Sequence, residues 1–180
     1  VEVATRRAVM TGVTQITAKV NEMNAEELET DYFEVSYHST ARPSHQVWQG
    51  RVYSKDELIS ICGLGSGEGL CGWNCRHSYS PFIPGVSVRT YTDEQLDEMN
   101  KEENKPKEYR GKQYTKYEAS QKQRKMETLM RKQRQDIKLL EIGGANEEDI
   151  INAKARYRST MSQYVEFSKE MNLPQQIERV

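Results

Sequence analysis

Apolar residues recur at helical spacing in the first part of the chain. From position 9 onward they are three or four residues apart, and acidic residues close the segment. This periodicity predicts one amphipathic helix over residues 3–28, and we expect its apolar stripe to cap a sheet. The stripe consists of Val9 or Met10, Val13, Ile16, Val20 and Met23.

Strand patterns follow this helix. The segment DYFEVSY at residues 31–37 alternates with the period of two that is typical of a half-buried strand. A second short strand is predicted at residues 50–53 and a third at residues 86–91. Between residues 62 and 85 lie six of the eleven glycines, which predict irregular backbone. Such a loop keeps its shape only if packing, hydrogen bonds or a metal hold it.

The second half of the chain predicts helices. Thr92 is the expected N-cap of a short helix, and residues 101–113 have the composition of a polar linker. From Tyr114 onward, apolar positions follow a helical period on both sides of Gly143-Gly144. Because this glycine stop is followed by Asn146 and acidic residues, it is typical of a turn between two helices. We therefore predict a long antiparallel helical hairpin over residues 114–180.

Together these elements predict an α+β fold. A small α/β module with the glycine-rich loop would occupy residues 1–100, followed by the linker at 101–113 and the hairpin at 114–180. At 180 residues the chain has room for one core, and its 36% hydrophobic content with 29% charged residues indicates that this core is small. Because the chain begins at Val1 without an initiator methionine and the helical pattern follows at once, we expect a preceding region in the natural polypeptide.

Charge excludes some functions and suggests one contact. The formal net charge of -1 excludes a globally basic nucleic-acid binder, and no apolar run approaches the length of a membrane span. Residues 101–140, however, carry thirteen Lys and Arg against six Asp and Glu. This basic stretch is compatible with salt-dependent contacts to a DNA backbone, but a solvated helix face gives the same pattern and is the favoured interpretation. The candidate DNA contacts are Lys122, Arg124, Lys125, Arg131, Lys132 and Arg134.

All three cysteines and all three histidines fall between residues 38 and 77. An odd number of closely spaced cysteines argues against a disulfide framework and favours a reducing compartment. Imidazole and thiolate are preferred zinc ligands, so zinc is the candidate cofactor, although packed cysteines and hydrogen-bonded histidines would give the same pattern. The candidate zinc ligands are His38, His45, Cys75 and His77.

Nucleophilic catalysis is a further interpretation of the same residues. Cys75 or Cys71 would serve as the nucleophile, with His45 or His38 as its base. The sequence around neither cysteine matches a known nucleophile motif. The chain would then be a metal- or Cys/His-dependent enzyme, such as a hydrolase or a toxin-like transferase.

Two ordered motifs carry a family resemblance. The segment YHSTARPSH at residues 37–45, followed by WQG at 48–50, resembles a signature of the phage minor capsid protein 2 family. The segment GLCGWNCRH at residues 69–77 resembles the second signature of that family. In the related MuF-type head proteins, a C-R-C motif stands where this chain has Cys75-Arg76-His77. The resemblance extends into the helical tail and so covers nearly the whole chain.

The resemblance implies a head component of a tailed phage or prophage rather than a free-standing enzyme. Such a protein is encoded beside the portal and packaged in few copies, so portal, other head proteins and phage DNA are the implied partners. Its implied location is the virion, and the host cytoplasm during assembly. The family supplies no settled catalytic residues, and an enzyme packaged in the virion remains the alternative. The expected structural site comprises His38, Arg42, Pro43, His45, Trp48, Gly50, Cys71, Asn74, Cys75, Arg76 and His77.

Overall fold

The computed structural model describes residues 2–180, and the chain divides into two compact units, Val1–Glu102 and Glu103–Val180. The predicted α+β class is confirmed, with helices predominating over small antiparallel sheets. The first elements are α1 (Glu2–Glu27), β1 (Tyr32–Val35), α2 (Pro43–Gln46), β2 (Val52–Ser54), α3 (Lys55–Ser60), β3 (Tyr79–Phe82) and α4 (Asp93–Asn104). They are followed by β4 (Lys107–Tyr109), β5 (Lys112–Tyr114), α5 (Lys116–Ile142), α6 (Glu147–Glu170) and a 3₁₀ turn (Ile177–Arg179).

The sheet of the first unit has β1 at its centre. Strands β2 and β3 flank it, both antiparallel, so that Phe33 stands opposite Tyr53 on one side and Pro81 on the other. Phe33 is buried and meets the ring of Tyr79 edge to face at 5.3 Å. The predicted strands at residues 31–37 and 50–53 are confirmed, and this sheet forms one wall of the core.

The third strand lies earlier in the chain than predicted. The prediction at residues 86–91 is wrong, because Val86 and Val88 are 75% and 88% exposed in an irregular segment. The N–H groups of Val86 and Ser87 instead donate to the carbonyl of Ile83 and close a turn. The actual strand, β3, includes Pro81. Proline is tolerated there because β3 is an edge strand and needs fewer ladder hydrogen bonds.

Helix α1 confirms the predicted helix but packs through an unexpected face. Ala18 and Ala25 are buried, and Glu22 accepts hydrogen bonds from the Tyr79 hydroxyl at 2.7 Å and from Lys55. The expectation that the apolar stripe caps the sheet is wrong, since its members are 49–68% exposed. At 100° per residue, the stripe lies on the side of the helix opposite the packed face. The small alanines permit close approach to β3, which bulky apolar residues would prevent.

The second unit begins with a β-hairpin inside the predicted linker. Strands β4 and β5 pair so that Lys107 faces Tyr114, and the turn at Arg110-Gly111 has positive φ at both residues. This turn geometry matches the right-handed twist of paired strands. Together with the end of α4, the β-hairpin occupies most of residues 101–113, so that segment is ordered structure rather than a plain polar linker.

The predicted helical hairpin is present as α5 and α6. Helix α5 begins at a capping box formed by Thr115 and Glu118, and α6 begins at the N-cap Asn146, whose side chain accepts from the Asp149 N–H. Near the ends remote from the turn, Phe167 and other residues form a packed base. No residue between 131 and 163, all of which the structure describes, is buried. We call residues 131–163 the distal arm.

Candidate functional site

The two family-like motifs meet at one place in the first unit. Pro43 occupies the first turn of α2, where its fixed φ favours helix and its missing N–H costs nothing. This short helix carries His45 into the interior. The second motif ends at His77, two residues before the start of β3, so the sheet places that histidine beside α2.

The arginine of each motif donates a hydrogen bond to a backbone carbonyl of the other motif. Arg42 Nη2 donates to the carbonyl of Trp73 at 2.7 Å. Arg76 Nη2 donates in return to the carbonyl of Ser39 at 3.2 Å. A weaker bond links Cys71 Sγ to the carbonyl of His77 at 3.7 Å. These reciprocal contacts join segments more than thirty residues apart, which supports a structural role for both arginines.

His45, His77 and Cys75 bring their ligand atoms together. The two Nδ1 atoms are 3.3 Å apart, and Cys75 Sγ lies 3.5 Å from His77 Nδ1 and 3.9 Å from His45 Nδ1. His38, the fourth predicted ligand, does not join them within the described residues. Its Nε2 lies 3.2 Å from Ser36 Oγ, and its ring contacts the His77 ring edge to face.

The Nε2 atoms of both buried histidines are hydrogen-bonded to carbonyl oxygens. His45 Nε2 lies 2.9 Å from the Glu68 carbonyl, and His77 Nε2 lies 2.9 Å from Gln49 Oε1. Gln49 is fully buried, and its Oε1 also accepts from the N–H of His38 at 3.0 Å. Gln49 was not among the predicted site residues, although it lies inside the WQG signature. The sequence signal that could have identified Gln49 is its polar side chain between two signature residues, Trp48 and Gly50.

Burial controls the protonation of the cluster. His45 and His77 are 2% and 3% exposed, and the ring of Trp48 lies against both, at 4.5 Å and 4.9 Å between centroids. Burial, together with the charges of His38 and His45, lowers the pKa of His77 to about 3. Burial also lowers the pKa of His45. Both imidazoles are therefore neutral at neutral pH, the form that accepts a hydrogen bond or binds a metal.

The other two cysteines are poorly suited to chemistry. Burial raises the pKa of the Cys71 and Cys62 thiols to about 12, so both remain protonated near neutral pH. This opposes the hypothesis that Cys71 is a nucleophile. Cys62 packs in the hydrophobic core. Among the three thiols only Cys75, which is half-buried, lies beside two histidines.

Glycines shape the backbone around the cluster. Gly50 has φ +73°, and a Cβ there would lie 2.5 Å from the buried Leu96 side chain. A Cβ on Gly69 would lie 2.1 Å from the carbonyl oxygen of Gly63, so the glycine-rich loop folds tightly on itself. Glu68, whose carbonyl faces His45, lies within this loop. Asn74 also has a positive φ, of 55°, and is exposed.

The predicted DNA contacts on α5 differ in their exposure and in the contacts that they make within the second unit. Lys122 donates to the Tyr114 hydroxyl at 2.8 Å and lies over the ring of Phe167, while Arg134 donates to the carbonyl of Val180. These two side chains thus make contacts inside the second unit. The exposed members of the set are Arg124, Lys125, Arg131, Lys132 and the internally bonded Arg134.

Comparison with known proteins defines the class as a structural protein of the phage head. The family model described as phage minor capsid protein 2 matches residues 1–168. The chain therefore belongs to the phage minor capsid protein 2 family, which places it in the virion with other phage head proteins as partners. No curated protein and no solved structure gives a significant match. Among the described residues, no helix has the length and apolar character to cross a membrane.

Proposed function

We propose that this protein acts in phage head assembly by docking α1 onto a helix of another head protein. The observation that carries the proposal is the exposed apolar row on α1, which we call the α1 seam. Its exposed fractions run from 49% to 68%. Apolar residues grouped in this way mark contact sites on soluble proteins. The α1 seam consists of Val9, Val13, Ile16, Val20 and Met23.

The spacing of the α1 seam indicates that its partner is helical. Successive members are four, three, four and three residues apart, which is the heptad repeat of a coiled coil. β-Branched Val13 and Val20 take one heptad position, and Val9, Ile16 and Met23 take the other. A helix of the partner would fill the holes between these side chains.

The portal protein is the first partner to test, because the family resemblance implies a protein encoded beside the portal. The full chain would be co-expressed with the portal and other head proteins of the same phage, and complexes measured by size-exclusion chromatography with light scattering. In the variant Ile16→Asp, a charge at the centre of the α1 seam should abolish the complex, since an unpaired carboxylate would have to be buried.

A matched control is Gln15→Asp, which adds the same charge at an exposed position of α1 outside the seam. We expect this variant to bind as the parent does. Equal loss of binding in both variants would refute a specific seam. A dimer of the isolated chain that only Ile16→Asp disrupts would show instead that the seam binds a second copy.

We also propose a contact with packaged DNA through α5. Arg124 and Arg131 are seven residues apart, as are Lys125 and Lys132, and all four are exposed. Positions seven apart share one side of a helix, so each pair lies on one side, and the two pairs are about 100° apart around α5. The double variant Lys125→Glu, Lys132→Glu should weaken DNA binding and flatten its dependence on salt, by roughly 0.9 in log-log slope for each phosphate that is no longer neutralised. An unchanged slope would refute the contact.

A further inference from the structure

The hydrogen bonds of the cluster fix which nitrogen of each histidine carries the proton. A carbonyl oxygen can only accept, so His45 Nε2, at 2.9 Å from the Glu68 carbonyl, must bear a hydrogen. Gln49 Oε1 accepts from the backbone N–H of His38, which identifies that atom as the amide oxygen. His77 Nε2, 2.9 Å from the same oxygen, must therefore also bear a hydrogen.

In the neutral rings the Nδ1 atoms of both histidines consequently carry no hydrogen. His45 Nδ1 and His77 Nδ1 face each other at 3.3 Å, each with a lone pair and with no hydrogen to share. The thiol of Cys75 has one hydrogen and can satisfy only one of them. Two acceptors in buried surroundings at this distance repel each other unless a cation lies between them.

The separations match the edges of a tetrahedral zinc site. Zn–N bonds of about 2.05 Å and Zn–S bonds of about 2.3 Å at tetrahedral angles place two nitrogens about 3.4 Å apart and nitrogen and sulfur about 3.6 Å apart. The observed separations are 3.3 Å between the nitrogens, and 3.5 Å and 3.9 Å from Cys75 Sγ to His77 and His45. Two edges agree closely, and the third is a few tenths of an ångström longer.

We infer that His45 Nδ1, His77 Nδ1 and the Cys75 thiolate bind one zinc ion. Two imidazoles and a thiolate suit zinc, whereas calcium and magnesium prefer oxygen ligands. Binding releases the thiol proton to solvent. Among the His, Cys, Asp and Glu side chains of the described residues, these three are the ones that converge. The zinc site is independent of the proposed docking of α1.

Glu68 and Gln49 complete the arrangement as positioning groups. Histidines that bind metals almost always donate their other ring N–H to a carbonyl or carboxylate, which fixes ring orientation. The carbonyl of Glu68 serves His45 in this way, and the side chain of Gln49 serves His77. We expect Gln49→Ala to retain the ligands and to bind zinc about 10- to 100-fold more weakly.

The test is elemental analysis of the untagged full chain, with about one zinc per chain expected. Single substitutions His45→Ala, Cys75→Ser and His77→Ala should each remove most of the metal. His38→Ala should keep it, because His38 lies outside the ligand set, and Cys62→Ala is the matched control for removal of a buried cysteine. Metal lost in His38→Ala and kept in Cys75→Ser would overturn the assignment.

Cobalt substitution provides a second measurement that needs no variant. The chain would be stripped with a chelator and titrated with Co²⁺, whose visible absorption reports tetrahedral coordination and whose near-ultraviolet band reports a bound thiolate. We expect both signals to saturate at about one equivalent and to disappear on addition of zinc. A parent protein that contains no zinc and develops no cobalt spectrum would refute the site even if every variant misfolds.

Discussion

The motif region of the first unit and the distal arm of the second are stabilised in different ways. Around the motifs, buried polar atoms such as His45 Nε2, His77 Nε2 and Gln49 Oε1 each have a specific partner, and the backbone adopts conformations that few residues tolerate. In the distal arm, residues 131–163, nothing is buried. We therefore expect the motif region to be more sensitive to single substitutions than the exposed positions of the distal arm.

The largest effect should come from the base of the helical hairpin. Phe167 is fully buried against Tyr109 and Tyr114, so Phe167→Ala should destabilise the second unit by about 3–5 kcal/mol. Helical circular dichroism during urea unfolding would measure this loss. Both tryptophans, Trp48 and Trp73, lie in the first unit, and their fluorescence transition should change little. Parallel shifts of both signals would contradict separate stabilisation of the units.

A smaller effect is expected from one backbone position in the motif region. Gly50→Ala combines a positive φ with a clash against buried Leu96, and should cost roughly 2 kcal/mol as measured by tryptophan fluorescence. Gly12→Ala is the matched control. Gly12 lies within α1 with open space around its Cβ position, so alanine there should stabilise by about 0.5–1 kcal/mol. Equal changes in the free energy of unfolding at the two glycines would contradict a special backbone requirement at Gly50.

The attachment of α1 should depend moderately on pH. Burial raises the pKa of Glu22, but hydrogen bonds from Lys55 and Tyr79 and the charge of Lys55 outweigh it, so the pKa lies below its ordinary 4.5. A lowered carboxyl pKa contributes stability above the unfolded value and loses it as pH falls through the folded value. Glu22→Gln should cost about 1–2 kcal/mol near neutral pH and progressively less below pH 4.5, measured by urea unfolding at each pH. A difference independent of pH would contradict this account.

The smallest effect is expected in the distal arm. Leu139 is 61% exposed, and Leu139→Gln should change the free energy of unfolding by less than about 0.5 kcal/mol. The measurement is the same circular dichroism titration that is used for Phe167→Ala. A loss well above 1 kcal/mol would mean that the isolated chain already covers this side chain.

The sequence predicted helices and the central strands well, because periodicity records which face of an element is apolar. It could not predict what that face contacts. The α1 seam was assigned to the sheet, yet Ala18 and Ala25 make that contact through their small size, which periodicity does not register. The strand at β3 was missed because Pro81 and the neighbouring glycines suggested only a loop.

The site was predicted in part for a similar reason. His45, Cys75 and His77 were singled out by residue type, and they do converge. His38 has the same side-chain chemistry and lies next to the cluster, but its Nε2 is hydrogen-bonded to Ser36 and it is not one of the three converging ligands. The carbonyl of Glu68 is a backbone group and leaves no trace in the sequence. Only three-dimensional contacts distinguish these cases.

The reciprocal arginine contacts have a consequence for how the chain folds. Arg42 reaches Trp73 across 31 residues, His45 reaches His77 across 32, and Arg76 reaches Ser39 across 37. Contacts this distant in sequence form slowly because a long loop must close first. The α5–α6 turn, by contrast, joins neighbouring residues. During synthesis the first unit therefore cannot complete its structure until residue 77 has left the ribosome, and a chain truncated before Trp73 would lack both Trp73, the partner of Arg42, and His77, the partner of His45.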